Sequence, residues 1–146
     1  MKGHITLEVI RNNIIIDHTE TDNIICTVGQ AQLLNYLAQF PSNPVTSLVF
    51  GAVGSGTNTP TVNDTALQTE LGRSQVGQGG TATNVFTWTT VIPNLTTGAW
   101  TVTEGGIFLD ASSVAGSGLL LNHFLFSNSV SVAANSMASL SASFTI

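Results

Sequence analysis

Hydrophobic and polar residues alternate strictly at the start of the chain. In HITLEVI, Ile5, Leu7 and Val9 stand against His4, Thr6 and Glu8, the period of two that gives a strand one buried and one wet face. The turn formers Arg11-Asn12-Asn13 follow and IIID supplies a returning strand, so residues 1–20 are predicted to form an N-terminal hairpin or arm. From Thr27 the period lengthens. Val28, Ala31 and Leu34, and Leu33, Leu37 and Phe40, fall at helical spacings, with Thr27 and Gln30 matching a capping box. Pro41 ends that helix, and Pro44 returns the chain to extended geometry before a strand in VTSLVF.

Residues 51–73, GAVGSGTNTPTVNDTALQTELGR, change character halfway. The first part reads as a surface loop acting as a hinge, its glycines permitting backbone angles closed to other residues and Pro60 fixing the exit. NDTALQTEL then predicts about two helical turns, capped by Asn63 or Asp64, packing Leu67 and Leu71 inward and ending on Gly72. What remains is strand-like: NVFTWTTVI, then AWTVT and GIFLD after turns at Asn94–Gly98 and Gly105-Gly106, then LLLNHFLFS beyond the loop ASSVAGSG. In ASLSASFTI, Leu140, Ala142, Phe144 and Ile146 share one face. Short strands between turns, without strand–helix alternation, predict a mainly β chain: an antiparallel β-sandwich, jelly-roll-like, with one α-helix and one short helical turn. Residues 21–146 form its single domain, preceded by the arm.

Charge sharpens this picture. Only 8% of the 146 residues are charged and the formal net charge is −5, against about 25% charged residues in an ordinary soluble domain. With Lys2, Arg11 and Arg73 as the only basic side chains, counterion release from nucleic acid or attraction to an anionic membrane would contribute little. No apolar run approaches a membrane span, and no secretory signal opens the chain, so a soluble protein made in the cytoplasm is expected and the sequons at Asn63 and Asn94 carry no glycan. A neutral, threonine-rich β surface with few edge lysines is poorly defended against association. Partner subunits are therefore expected to cover part of it, through strand addition by the N-terminal hairpin, with Ile5, Leu7, Val9, Ile14, Ile15 and Ile16 as the candidate interface.

Candidate chemistry is sparse. The glycines at Gly51, Gly54 and Gly56 lack the lysine of a phosphate loop and the spacing of a dinucleotide fingerprint, and Pro60 keeps any helix away from them. His4, His18 and His123 lie in unrelated segments without zinc spacing, and His123 reads as a packed or subunit-facing residue. Asp17, Glu20 and Asp22 gather oxygen without the calcium-loop pattern. Glu104 and Asp110 suggest an acid and base but lack a sugar cleft, Ser55 lacks a nucleophile elbow, and the lone Cys26 reads as a small buried hydrophobe. No enzyme, metal or cofactor is expected.

The order of features carries more than any one of them. LVFGAVGSGTNTPTVNDTALQTELGR, then EGGIFLD from Glu104, LLLNHFLFS from Leu119 to Ser127 and the closing SLSASFTI resemble small virion proteins of tailed bacteriophages, of the capsid decoration, head-fibre or tail-fibre kind. The resemblance covers residue 24 to the end, departing from the pattern at His123 and at the extra Gly51. It implies a virion structural protein with a β-sandwich, a homo-oligomer and often a trimer on the particle exterior, whose partner is the major capsid protein or another virion protein.

Overall fold

The computed structural model describes residues 2–39, 48–77, 79–82 and 84–145. Ten strands and one helix follow in the order β1 (Lys2–Arg11), β2 (Ile14–Asp22), β3 (Ile24–Ile25), α1 (Thr27–Gln39), β4 (Phe50–Gly54), β5 (Glu70–Gln75), β6 (Gly79–Ala82), β7 (Val85–Pro93), β8 (Trp100–Leu109), β9 (Leu119–Val132) and β10 (Met137–Thr145). They build two five-stranded antiparallel sheets, ordered β2-β1-β10-β7-β6 and β3-β9-β8-β4-β5. The expected β-sandwich is the fold. Leu37's side chain, Phe40, Pro41, Pro44, the start of VTSLVF and Ile146 lie outside the described residues.

The first sheet follows its sequence closely. Asn12 and Asn13 take φ of 51° and 62°, the left-handed pair that closes a two-residue hairpin with the twist of its strands. Along β1, Ile5, Leu7 and Val9 are fully buried and pair with Ala142, Leu140 and Ala138 of β10, which are equally buried. These side chains meet Ile107, Leu121, Phe124, Val130 and Val132 of the second sheet in the main core. The hairpin therefore belongs to the sandwich: β1 is an interior strand between β2 and β10. Ile5, Leu7 and Val9, expected at a subunit interface, are intrachain core instead, because the period that exposes His4, Thr6 and Glu8 turns them inward.

The second sheet is covered on both faces. A smaller core of Cys26, Phe50, Ala52, Leu67, Phe108, Ala111 and Leu120, joined by Val28, lies apart from the main one. Gly29 lets α1 approach β9 closely, since a Cβ there would sit 2.2 Å from the Leu121 Cα. The expected capping box does not form: Thr27 N–H donates to the Val62 carbonyl at 2.8 Å, and the Gln30 side chain reaches back to the Ile25 carbonyl at 3.4 Å.

Three further expectations are corrected. Gly105 and Gly106 are mid-strand rather than a turn, for β8 runs unbroken across them. Side chains there would strike the Phe124 ring at 2.5 Å and the Asn122 carbonyl at 2.7 Å. Residues 63–71 form no helix; turns lead straight into β5, and Gly72 lies within that strand against Trp100. Finally, the positive-φ glycines among the described residues are Gly116 and Gly118, so the 51–56 glycines are not there for unusual angles. The turn expected at Asn94–Gly98 is present, organised by the buried Asn94 side chain, which donates to the Gly98 and Val132 carbonyls and accepts from Thr96.

Arg73 anchors the loop after β8. Its guanidinium makes a bidentate pair with Glu70 at 2.6 and 2.7 Å, donates to the Ser112 and Ser117 carbonyls, and lies 4.5 Å above the Phe108 ring.

Candidate functional site

Two strands of the second sheet each carry one ionisable residue inside an apolar run: Glu104 in β8 and His123 in β9. Gly106 pairs with His123 and Glu104 with Leu125, so Glu104 and His123 are diagonal neighbours on one face. Their side chains are 1% and 3% exposed, and His123 Nε2 lies 3.0 Å from Glu104 Oε2. The other ring nitrogen, Nδ1, lies 2.6 Å from Asp64 Oδ2 in the loop before β5.

The glycine loop completes the arrangement. Glu104 Oε1 accepts from Gly56 N–H at 2.9 Å and Thr69 N–H at 2.8 Å, and Oε2 accepts from Gln68 N–H at 3.1 Å. The loop does wrap an anion with its amides, and that anion is the protein's own carboxylate. Its glycines are explained by this contact, because a Cβ on Gly54 or Gly56 would sit 2.6 or 2.4 Å from Glu104 Oε1. It also explains the missing helix at 63–71, whose last amides are committed to Glu104. Gln68 Oε1 in turn accepts from Thr57 and Asn58 N–H, while Asp64 accepts from the Thr61 amide and hydroxyl.

An imidazole flanked by two carboxylate oxygens must donate from both nitrogens, which only the imidazolium can do. Burial works against the charged ring, but the hydrogen bonds and charges of Glu104 and Asp64 outweigh it and raise the His123 pKa. Burial likewise pushes Glu104 up, and is overcome by His123 and the amides of Thr69, Gln68 and Gly56, which hold it below the usual carboxylate range. Asp64 is also lowered, its desolvation outweighed by Thr61 and His123. Cys26 lies beside this cluster, fully buried, with Sγ 3.9 Å from the Thr61 carbonyl. Its thiol is pushed up to about 11 by burial and by the charge of Asp64, which makes it a poor nucleophile and the small buried hydrophobe expected.

The remaining candidates stay apart. Asp110 accepts from Gln32 Nε2 and Tyr36 Oη on α1 at 2.6 and 2.5 Å and does not join Glu104. His4 contacts Asp22 at 3.2 Å and Glu20 at 3.5 Å on the exposed first sheet. His18 pairs with Glu8 across the hairpin, and Asp17 with Val9. Among the described residues, no group of three or more His, Cys, Asp or Glu side chains is placed to hold a metal ion. No helix among them is long and apolar enough to cross a membrane. Of the candidate interface residues, Ile14, Ile15 and Ile16 are 64%, 55% and 53% exposed on the edge strand β2.

Glu104, suggested with Asp110 as an acid and base, is instead paired with the packed His123, and Asp64 completes the cluster without having been a candidate. The available signal was a charged residue within each of two adjacent apolar strands, a placement that demands a counter-charge. No protein-family model, curated protein sequence or solved structure matches the chain.

Proposed function

We propose that the protein is a structural component of a tailed-phage particle: a capsid decoration or cement protein that binds the outside of the major capsid protein lattice as a homo-oligomer, with a trimer as the favoured state. The observation that carries this reading is the run of Ile14, Ile15 and Ile16, three consecutive exposed isoleucines on an edge strand whose outer ladder has no strand partner among the described residues. Such an edge is a template for strand addition. The order of sequence motifs supports the same reading.

The mechanism is linkage. A protein that binds the assembled lattice and not its free subunits stabilises the lattice by its own binding free energy at every site. Replacing Ile15 with Lys places a charge in that edge while leaving the β1 face of the core alone. Purified particles are expected to lose the I15K protein while the free variant melts as the wild type does. Undiminished occupancy on the particle would refute docking through this edge.

A second reading, a tail-fibre, baseplate or host-recognition module, draws on the outer face of the first sheet. There Thr6, Glu8, Thr89, Ser139 and Ser141 line a shallow cleft of about 320 Å³, at the small end of ligand-site volumes. Hydroxyls around one carboxylate suit a glycan. Quantitative mass analysis of particles separates the readings: hundreds of copies on the head for decoration, a few at the tail for the alternative.

A further inference from the structure

We propose that residues 55–69 form a proton-controlled latch, in which the middle of the loop is held shut by imidazolium at His123 and, when that proton leaves, swings out to uncover Cys26 and the first turn of α1.

The segment is attached at its two ends, through Leu67 in the smaller core, and at its middle, with unequal strength. Its two ends, at Gly56 and at Gln68-Thr69, are tied to Glu104 by backbone amides, and the ends are bonded to each other and the sheet through Ser55 N–H to the Thr69 carbonyl and Thr103 Oγ1 to the Gly56 carbonyl. Its middle is tied through Asp64, which holds Thr61 on one side and reaches His123 Nδ1 on the other. Beneath that middle lie the groups it covers: the Cys26 thiol against the Thr61 carbonyl, and the Thr27 amide bonded to the Val62 carbonyl.

Neutral imidazole has one N–H for two carboxylates. The proton stays on the side with the greater need. Glu104 is enclosed, whereas the Asp64 side chain is 25% exposed and can rehydrate. The retained N–H therefore faces Glu104, and the lone pair on Nδ1 is left against Asp64 at 2.6 Å, a repulsive contact between two acceptors. The middle of the loop is released and its ends remain. Room exists beside it: Val62 lines an open cleft of about 370 Å³ shared with Lys2, Asp22, Asn23 and Gln30.

The ionisable groups around the ring are few. Glu104 faces it from β8, Asp64 from the loop, and the Cys26 thiol lies at the junction of β3 and α1. Among the described residues, β3 and β4 bring no charged side chain. Lys2 and Asp22 lie across the cleft from Val62. The His123 pKa is raised, burial opposing and the hydrogen bonds and charges of Glu104 and Asp64 dominating, so opening falls above the ordinary imidazole value of 6.5.

The test uses the intact wild-type chain between pH 6 and pH 10. Ring nitrogen NMR follows the His123 proton. The reaction of Cys26 with a maleimide, measured against the same chain unfolded in urea at each pH, follows the latch. The expected result is a ring protonated on both nitrogens at pH 6, and a fall of at least tenfold in Cys26 protection with the midpoint of the ring titration. Thr27 amide exchange should accelerate alongside, and the Gly56, Gln68 and Thr69 amides should hold. Asp64→Ala, which leaves Nδ1 no partner on the loop, should show the exposed thiol already at pH 6, and Thr61→Val, which removes only the hydroxyl bond to Asp64, should shift the midpoint downward. A singly protonated ring at pH 6, constant Cys26 protection while the ring titrates, or loss of Leu7 and Val9 amide protection together with Cys26 would overturn the latch, the last because it signals global unfolding.

Discussion

The two sheets treat a polar residue in opposite ways. In the sheet built around β1 and β10, most serines, threonines and glutamates alternate with core residues and face water, Thr19 and Thr90 being buried exceptions; Thr6, Ser141 and Thr89 stand side by side across three strands. In the sheet built around β8 and β9, both faces are covered, and Glu104, Asn122 and His123 are buried. On the open sheet a charge is nearly neutral for stability, whereas on the enclosed one it must be matched atom by atom. The lesson is that a residue's chemical meaning here depends on which layer its strand enters, and local sequence does not state the layer.

The comparison breaks most visibly at its carboxylates. Glu104→Ala would leave three amides and a buried imidazolium without their acceptor, and a loss of about 3–5 kcal/mol in denaturant unfolding is expected for such a broken buried pair. Glu8→Ala on the open sheet should change stability by less than about 0.5 kcal/mol. Equal losses would abolish the distinction.

A methyl group probes packing in the same way, with a smaller effect. Gly54→Ala places a Cβ 2.5 Å from the Thr69 carbonyl and 2.6 Å from Glu104 Oε1, and overpacking of this kind costs about 1–3 kcal/mol. Gly80→Ala in β6 meets nothing within 4 Å and should leave the melting temperature unchanged. Thermal denaturation of both variants reads the difference directly.

Proton linkage gives the third contrast. Because the His123 pKa is raised from 6.5 in the folded chain, its contribution is complete below 6.5 and is lost as pH rises through the folded value. Asp64 and Glu104 are lowered from 3.8 and 4.5, so theirs is present above those values and is lost as pH falls through the folded ones. Stability should therefore peak between the two limbs. His123→Gln should flatten the alkaline limb in a pH series of urea midpoints, and an unchanged limb would assign it to other groups.

The difference between the layers also explains what the sequence disclosed. Alternation in β1 and β10 was legible because one face is wet, and the paired asparagines stated their turn. In β8 and β9 the alternation vanishes, since Leu120 and Leu121 are buried against different cores, and GGIF then read as a turn followed by a new strand. The short helix was inferred from local propensity that a distant carboxylate overrides: Gln68 and Thr69 amides serve Glu104, 36 and 35 positions away. The cluster itself was half visible. Glu104 stands out as an acid and His123 as a packed residue, but nothing in the sequence joins them, and the third member, Asp64, is fixed by loop geometry that has no periodic signature.

The inward turn of Arg73 has an electrostatic consequence. With that guanidinium closed over Glu70, the outward cations are Lys2 and Arg11, both exposed and at opposite ends of β1. Nine residue steps of extended chain separate them by about 30 Å, several times the distance of about 8 Å over which fields persist at physiological salt. A polyanion approaching this molecule would meet two lone positive points too distant to reinforce each other, set in a surface that otherwise repels it.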